Sequence, residues 1–213
     1  MNTDDLVTLL AHGAEPVDSR ATARRFLVAI AGGSVVAVML SAGLLGIRST
    51  PLDGSSIPMF WTREVFCAIL GVVGVVAVRQ LGRPGLRLGW LPLGYAAPLV
   101  VMWLLAAVAL LGADPQDRAS LIFGQTASVC PLLIALLSTP LFAALVWLMK
   151  GLAPTRLRLA GAACGSAAGA IGALAYTLHC PELAAPFLGI WYVLGMLIPT
   201  AVGALIGPRL LRW

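Results

Sequence analysis

The chain has 213 residues, of which 60% are hydrophobic and only 11% are charged. Soluble domains carry roughly 25% charged residues, so this composition excludes an ordinary soluble protein. Six apolar runs of about 20 residues are each long enough to cross a hydrocarbon core of ~30 Å. They are residues 26–47, 64–79, 91–111, 126–149, 159–178 and 186–207. The sequence therefore predicts an all-α polytopic membrane protein with a bundle of six transmembrane helices.

The basic residues predict how this bundle is oriented. Cytoplasmic loops of membrane proteins carry an excess of Lys and Arg. If both termini are cytoplasmic, the external side keeps only Arg48, Arg63 and Arg118 of the 14 basic residues. We therefore predict that both termini lie in the cytoplasm. The net charge of +5 then reflects membrane topology and gives no support to direct nucleic-acid binding.

The connections between the runs are short, which leaves residues 1–25 as the main segment outside the lipid bilayer. Thr3 is a suitable helix N-cap and Gly13 a suitable stop, so residues 3–12 are predicted to form a short amphipathic helix. Its acidic and leucine side chains have helical spacing: Asp4, Asp5, Leu6, Leu9 and Leu10. Helices on lipid surfaces usually carry Lys or Arg, so this face better suits a basic protein partner with an apolar groove. A tail lying on the lipid bilayer or on its own bundle is the alternative.

Inside the spans, the sequence gives little indication of chemistry. Ionisable residues at mid-membrane depth would indicate a proton relay or ion pathway. Arg63 and Glu64 are instead expected at the outer end of the second span, and His179 and Glu182 in an external connection. Hydrolase and dithiol-exchange motifs are absent from the sequence. The protein is therefore predicted not to be an enzyme, and a transporter is disfavoured.

The fifth span has small residues at every fourth position: Gly161, Gly165, Gly169 and Ala173. Such a ridge allows two helix backbones to approach closely in a membrane, where packing replaces the hydrophobic effect. We expect the ridge to pack inside the bundle rather than to form a dimer interface.

Two of the four cysteines precede proline, Cys130 before Pro131 and Cys180 before Pro181. Proline disfavours helical backbone in the residue before it, so each thiol is expected at a helix start or break. Helix lengths place both at similar depth on the outer side, where disulfides can persist. They could form a disulfide or bind a soft metal ion, with His179 as a third ligand. Two unrelated boundary cysteines are the alternative.

The other two cysteines, Cys67 and Cys164, lie within apolar spans. Single cysteines in such positions usually pack as small hydrophobic residues, and we predict that role for both.

Four segments of the chain are distinctive: "MNTDDLVTLLAHGAEPV" at the start, "SVCPLL" at 128–133, "TLHCPE" at 177–182 and "FLGIWYVLG" at 187–195. Together with the six spans they resemble the negative regulator of sigma F family, whose members are bacterial inner-membrane anti-sigma factors for extracytoplasmic-function sigma factors. The resemblance implies that residues 1–25 bind the sigma factor. We expect the acidic and leucine side chains of the predicted helix to make this contact: Asp4, Asp5, Leu6, Leu9 and Leu10. The resemblance also implies that residues 26–213 form a sensor domain in which Cys130 and Cys180 sense heavy-metal stress.

Together, these observations predict that the tail sequesters a sigma factor and releases it when Cys130 and Cys180 react with metal ions or oxidants. No resident cofactor is required, although a soft metal ion could bind transiently. The alternative is a small metal- or haem-handling membrane protein in which Cys130, Cys180 and His179 are permanent ligands. A membrane thiol oxidoreductase would need a second redox pair, and Cys67 and Cys164 lie at depths too different to supply one.

Overall fold

A computed structural model describes residues 3–12, 19–47, 57–83 and 89–212, and none of these residues lies in a β-strand. The helices are α1 (Thr3–His12), α2 (Ser19–Leu40), α3 (Ile57–Leu81), α4 (Leu91–Gly112), α5 (Arg118–Phe123), α6 (Cys130–Lys150), α7 (Leu157–Tyr176), α8 (Ala185–Phe187) and α9 (Val193–Leu210). A π-helical turn at Ser41–Leu45 extends α2, and another at Leu188–Tyr192 joins α8 to α9. The predicted all-α class is confirmed.

Six helical stretches in the described part of the chain are long and apolar enough to cross a membrane: Ala23–Leu45, Ile57–Leu81, Leu91–Gly112, Cys130–Lys150, Leu157–Tyr176 and Ala185–Leu210. They coincide with the six predicted spans. Prolines follow the first residue of α4, α6 and α8, where the missing N–H costs nothing because the first turn has no internal acceptor.

The second span differs most from its predicted bounds of 64–79. The helix α3 begins at Ile57, so Arg63 and Glu64 lie about two turns inside it rather than at its outer end. The prediction was wrong here because a charged pair was treated as a helix boundary. The external connection 112–125 also differs from expectation, since it contains the short helix α5.

Helix α7 is the centre of the bundle and packs most extensively on α9, then on α3 and α6. Its glycine ridge faces α9: Gly161 contacts the backbone of Gly203, and Gly165 that of Pro199. A Cβ atom built on Gly169 would lie 3.0 Å from the Cα atom of Met196. The predicted packing of the ridge inside the bundle is confirmed.

The bundle has two ends that differ in character. At one, which we call the cysteine end, residues 112–130 and 176–185 connect the helices and bring Cys130 and Cys180 into one buried cluster. At the opposite end lie exposed basic side chains: Arg24, Arg25, Arg79, Arg83, Lys150, Arg156, Arg158, Arg209 and Arg212. The cytoplasmic orientation of this end was predicted from the same basic residues, and it stays a prediction.

Candidate sensor site at the cysteine end

The two cysteines that precede proline lie side by side, although 50 residues separate them in the sequence. Cys130 is the first residue of α6, and its backbone N–H donates to the carbonyl of Thr126 at 2.9 Å. Cys180 follows the end of α7, and its N–H donates to the carbonyl of Tyr176 at 3.1 Å. The thiols are within hydrogen-bonding reach, are buried and are not joined by a disulfide. The expectation that each stands at a helix start or break is confirmed.

Hydroxyl groups surround this thiol pair. The hydroxyl of Thr126 lies 3.8 Å from the Cys180 sulfur. The buried phenol of Tyr176 adjoins both thiols, and that of Tyr192 adjoins Cys180, but neither makes a hydrogen bond of good geometry. Tyr192 ends the π-helical turn Leu188–Tyr192, an irregularity that often occurs at functional sites. The pair therefore sits in a polar pocket within an otherwise apolar core.

Cys180 is the thiol that ionises more readily. The largest cause is the hydrogen bond from the Cys130 thiol, which lowers the pKa of Cys180 because it favours the thiolate. The backbone of Glu182 and the hydroxyls of Tyr192 and Thr126 lower it further, whereas burial opposes them. The thiolate is the reactive form of a cysteine, so the hydrogen bonds at this site favour Cys180 over Cys130 as the position that ionises.

Arg63 from α3 reaches into this end of the bundle and is only 1% exposed. Its Nη1 donates to the carbonyl of Cys180 at 2.9 Å and to that of Glu182 at 3.3 Å. The neighbouring Glu64 accepts from Arg63 at 3.2 Å and neutralises its charge. The guanidinium also lies 5.4 Å from the centre of the Phe60 ring. The buried cation thus joins α3 to the segment that carries Cys180.

Glu182 joins the same segment to the connection that precedes α6. Its carboxylate accepts the backbone N–H of Gln125 at 2.7 Å. Gly124, which precedes Gln125, has φ +50°, and a Cβ atom added to it would lie 2.7 Å from the Glu182 carboxylate. A side chain at this position would therefore be strained and would displace Glu182.

His179 takes a different position from the one expected of a third metal ligand. Its Nδ1 lies 3.3 Å from the carbonyl oxygen of Gly46, and its ring packs on Tyr176. Within the part of the chain that the structure describes, no three His, Cys, Asp or Glu side chains are grouped so that they could hold a metal ion. The described residues therefore leave the two thiols without a third ligand of this kind, and metal binding by Cys130 and Cys180 stays a prediction.

The remaining cysteines occupy the positions expected of packing residues. Cys67 in α3 and Cys164 in α7 are both 0% exposed, each within one of the two buried clusters.

The predicted sigma-binding residues lie on α1, whose bounds match the predicted helix 3–12. Asp4 and Asp5 occupy its exposed first turn, where the helix dipole favours negative charge. The side chains of Leu6, Leu9 and Leu10 lie outside the described parts of the structure. Their role in binding stays a prediction.

Six residues of this site had no predicted role in it: Arg63, Glu64, Thr126, Tyr176, Glu182 and Tyr192. A basic residue close to an apolar run was the one available signal for Arg63. The tyrosines gave none, because aromatic residues in a span usually pack or anchor at the membrane interface.

The profile of the family described as "Negative regulator of sigma F" matches residues 10–213 of this chain. The chain belongs to this family. It is 48% identical over 213 residues to the probable anti-sigma-F factor NrsF of Azospira oryzae, with both chains covered completely. It is 37% identical over 219 aligned positions to the anti-sigma-F factor NrsF of Caulobacter vibrioides, again over both whole chains. No solved structure matches.

Membership settles the class of protein. The family is regulatory and non-enzymatic, which confirms that the chain is not an enzyme. The resemblance inferred from the short motifs is confirmed over the whole length of the chain.

Proposed function

We propose that this protein is a membrane-embedded anti-sigma factor that sequesters an extracytoplasmic-function sigma factor and releases it when Cys130 and Cys180 react. The observation that carries the proposal is similarity to two anti-sigma-F factors over the complete chain. Six helices of membrane-spanning length support an inner-membrane location. Sequestration at the membrane would keep the sigma factor from RNA polymerase.

The N-terminal segment is the element we assign to sigma-factor binding. The α1 helix has exposed Asp4 and Asp5 in its first turn, and Val7 is also exposed. A ten-residue helix is marginally stable alone, so a partner surface would stabilise it. An acidic helix with apolar side chains suits a basic groove lined with apolar residues.

The thiol pair is the element we assign to sensing. A soft metal ion would bind both sulfurs with the release of two protons, and soft thiolates prefer such ions. An oxidant would instead accept two electrons as the pair loses two protons and forms a disulfide. Either reaction would place the sulfurs at a fixed new distance, about 2.05 Å in a disulfide.

Movement of the thiols would reach the opposite end of the bundle through α6 and α7. Cys130 begins α6, and Cys180 directly follows the end of α7. The glycine contacts between α7 and α9 present few side chains that would resist a small slide or rotation. Weakening sigma-factor binding by roughly 150-fold would require about 3 kcal/mol of coupling, at 1.4 kcal/mol per tenfold change.

The assignment of the tail can be tested by reversing its charge. The full chain with Asp4→Lys and Asp5→Lys is compared with the wild type for co-purification of a sigma factor from native membranes. A chain with Asp114→Lys and Asp117→Lys is the control, because it makes the same charge change at exposed residues near α5. We expect only the tail variant to lose the sigma factor. Equal recovery from all three proteins would contradict the role of α1.

A further inference from the structure

We infer that Arg63 is the positioning residue of the thiol pair. Its guanidinium fixes the backbone of residues 177–182 so that the Cys180 thiol faces Cys130. The importance of this placement for signalling rests on the proposed sensing function, but the placement itself can be measured without a sigma factor.

The first argument is that Arg63 binds three backbone carbonyls of one short connection. Nη1 donates to Cys180 at 2.9 Å and to Glu182 at 3.3 Å, while Nη2 lies 3.4 Å from the carbonyl of Thr177. The last carbonyl groups of a helix have no N–H partner within the helix and need donors from outside it. A cation at this position is also favoured by the dipole of α7. Arg63 thus terminates α7 and shapes the turn that follows.

The second argument is that the guanidinium is held in place by its own neighbours. Glu64 Oε1 accepts from both Nε and Nη2 of Arg63, at 3.3 and 3.2 Å. The other carboxylate oxygen lies 3.3 Å from the hydroxyl of Thr177, which shares its proton with the Leu174 carbonyl at 2.6 Å. The Arg63–Glu64 pair therefore binds the connection through both of its members. A buried cation with this many fixed donors orients the backbone more strictly than a single exposed ion pair could.

The third argument is that the held segment also contacts the start of α6. Two residues after Cys180, the Glu182 carboxylate accepts the N–H of Gln125. The Cys180 sulfur itself lies 3.8 Å from the Thr126 hydroxyl. The backbone carbonyl of Thr126 accepts the N–H of Cys130, so the same residue contacts both cysteines. Arg63 on one side and residues 125–126 on the other thus set the separation of the two thiols.

The test compares disulfide formation between Cys130 and Cys180 in membranes that contain the full chain. Copper phenanthroline is the oxidant, and the product is quantified by mass spectrometry of the linked peptides. We expect Arg63→Gln to slow the reaction about tenfold or more, because the charged hydrogen bonds that hold the Cys180 segment are lost and a tenfold change needs only about 1.4 kcal/mol. Arg63→Lys retains the charge with fewer fixed donors and should recover part of the rate. Arg118→Gln changes an exposed arginine of the cysteine end and should leave the rate of disulfide formation unchanged.

A second readout is the rate at which dibromobimane, a short thiol cross-linker, links Cys130 to Cys180 at one fixed pH. If Cys180 moves away from Cys130, the two thiols are no longer side by side, so the link should form more slowly in Arg63→Gln. This measurement decides the inference even if the wild-type pair resists oxidation. A wild type that neither forms the disulfide nor binds cadmium would contradict the proposed sensing function only.

Removing Arg63 alone leaves the partly buried carboxylate of Glu64 without its ion-pair partner and could prevent folding. The double variant Arg63→Gln with Glu64→Gln avoids that charge and replaces the single variant if the latter does not accumulate. A folded variant without Arg63 that keeps both the wild-type oxidation rate and the wild-type cross-linking rate would overturn the inference.

Discussion

Replacing Gly165 by alanine is expected to destabilise the bundle through the contact between α7 and α9. The added methyl group would overlap the carbonyl of Pro199 and lie 2.6 Å from the Cα atom of Thr200. Both neighbours are backbone, so a side-chain rotation cannot relieve the overlap. The two helices must instead separate by about 1 Å in a densely packed core.

The size of the effect follows from two opposing contributions. Overpacking of this kind costs roughly 1–3 kcal/mol. Alanine is a better helix former than glycine by up to ~1 kcal/mol, which offsets part of the cost. We therefore expect a net loss of about 1–2 kcal/mol, or a decrease in Tm of roughly 2–8 °C for a chain of this length.

Thermal unfolding of the detergent-solubilised protein, followed by circular dichroism, measures this decrease. Gly32→Ala is the matched control, since it makes the same change in α2 at a position where the new methyl would have no atom of another helix within 4 Å. It should leave Tm unchanged or raise it slightly. If Gly165→Ala is as stable as Gly32→Ala, the close packing of α7 on α9 is refuted.

Two further predictions concern the thiol pair. Gly124→Ala should slow oxidation of Cys130 and Cys180, because the residue has φ +50° and the new methyl would displace Glu182; Gly112→Ala, at an open position, should not. The disulfide assay with copper phenanthroline checks both variants, and equal rates would contradict the role of Glu182. Alkylation of Cys180 should be half-maximal below the ordinary thiol pKa of about 8.5 and decline as acid protonates the thiolate. Cys130→Ala removes the main cause of that shift, so it should raise the midpoint; an unchanged pH profile would show that Cys130 does not influence Cys180.

The main architecture was predictable from the sequence because two properties, length and apolarity, are enough to identify a membrane span. Length and apolarity fixed the six helices, and helix length alone indicated that Cys130 and Cys180 share a depth. The ridge around Gly165 was interpretable because close helix packing requires small residues.

The details that sequence reasoning missed depend on tertiary contacts. Helix α3 begins at Ile57 and so contains Arg63. This could be predicted only by knowing that carbonyl groups from another connection accept the hydrogen bonds of the Arg63 guanidinium. The placement of Tyr176 and Tyr192 beside the thiols depends on how the helices pack, and the π-helical turn at Leu188–Tyr192 has no local signature. His179 had metal-ligand chemistry in the sequence, but its ring faces Gly46 instead.

The central claim is that reaction of the thiol pair releases a sigma factor held by the tail. The most direct measurement is the amount of sigma factor that remains bound to native membranes before and after addition of cadmium ions. The wild type is compared with a chain carrying Cys130→Ser and Cys180→Ser. Our account predicts equal binding before addition and release from the wild type alone. Release from both proteins, or from neither, would contradict it.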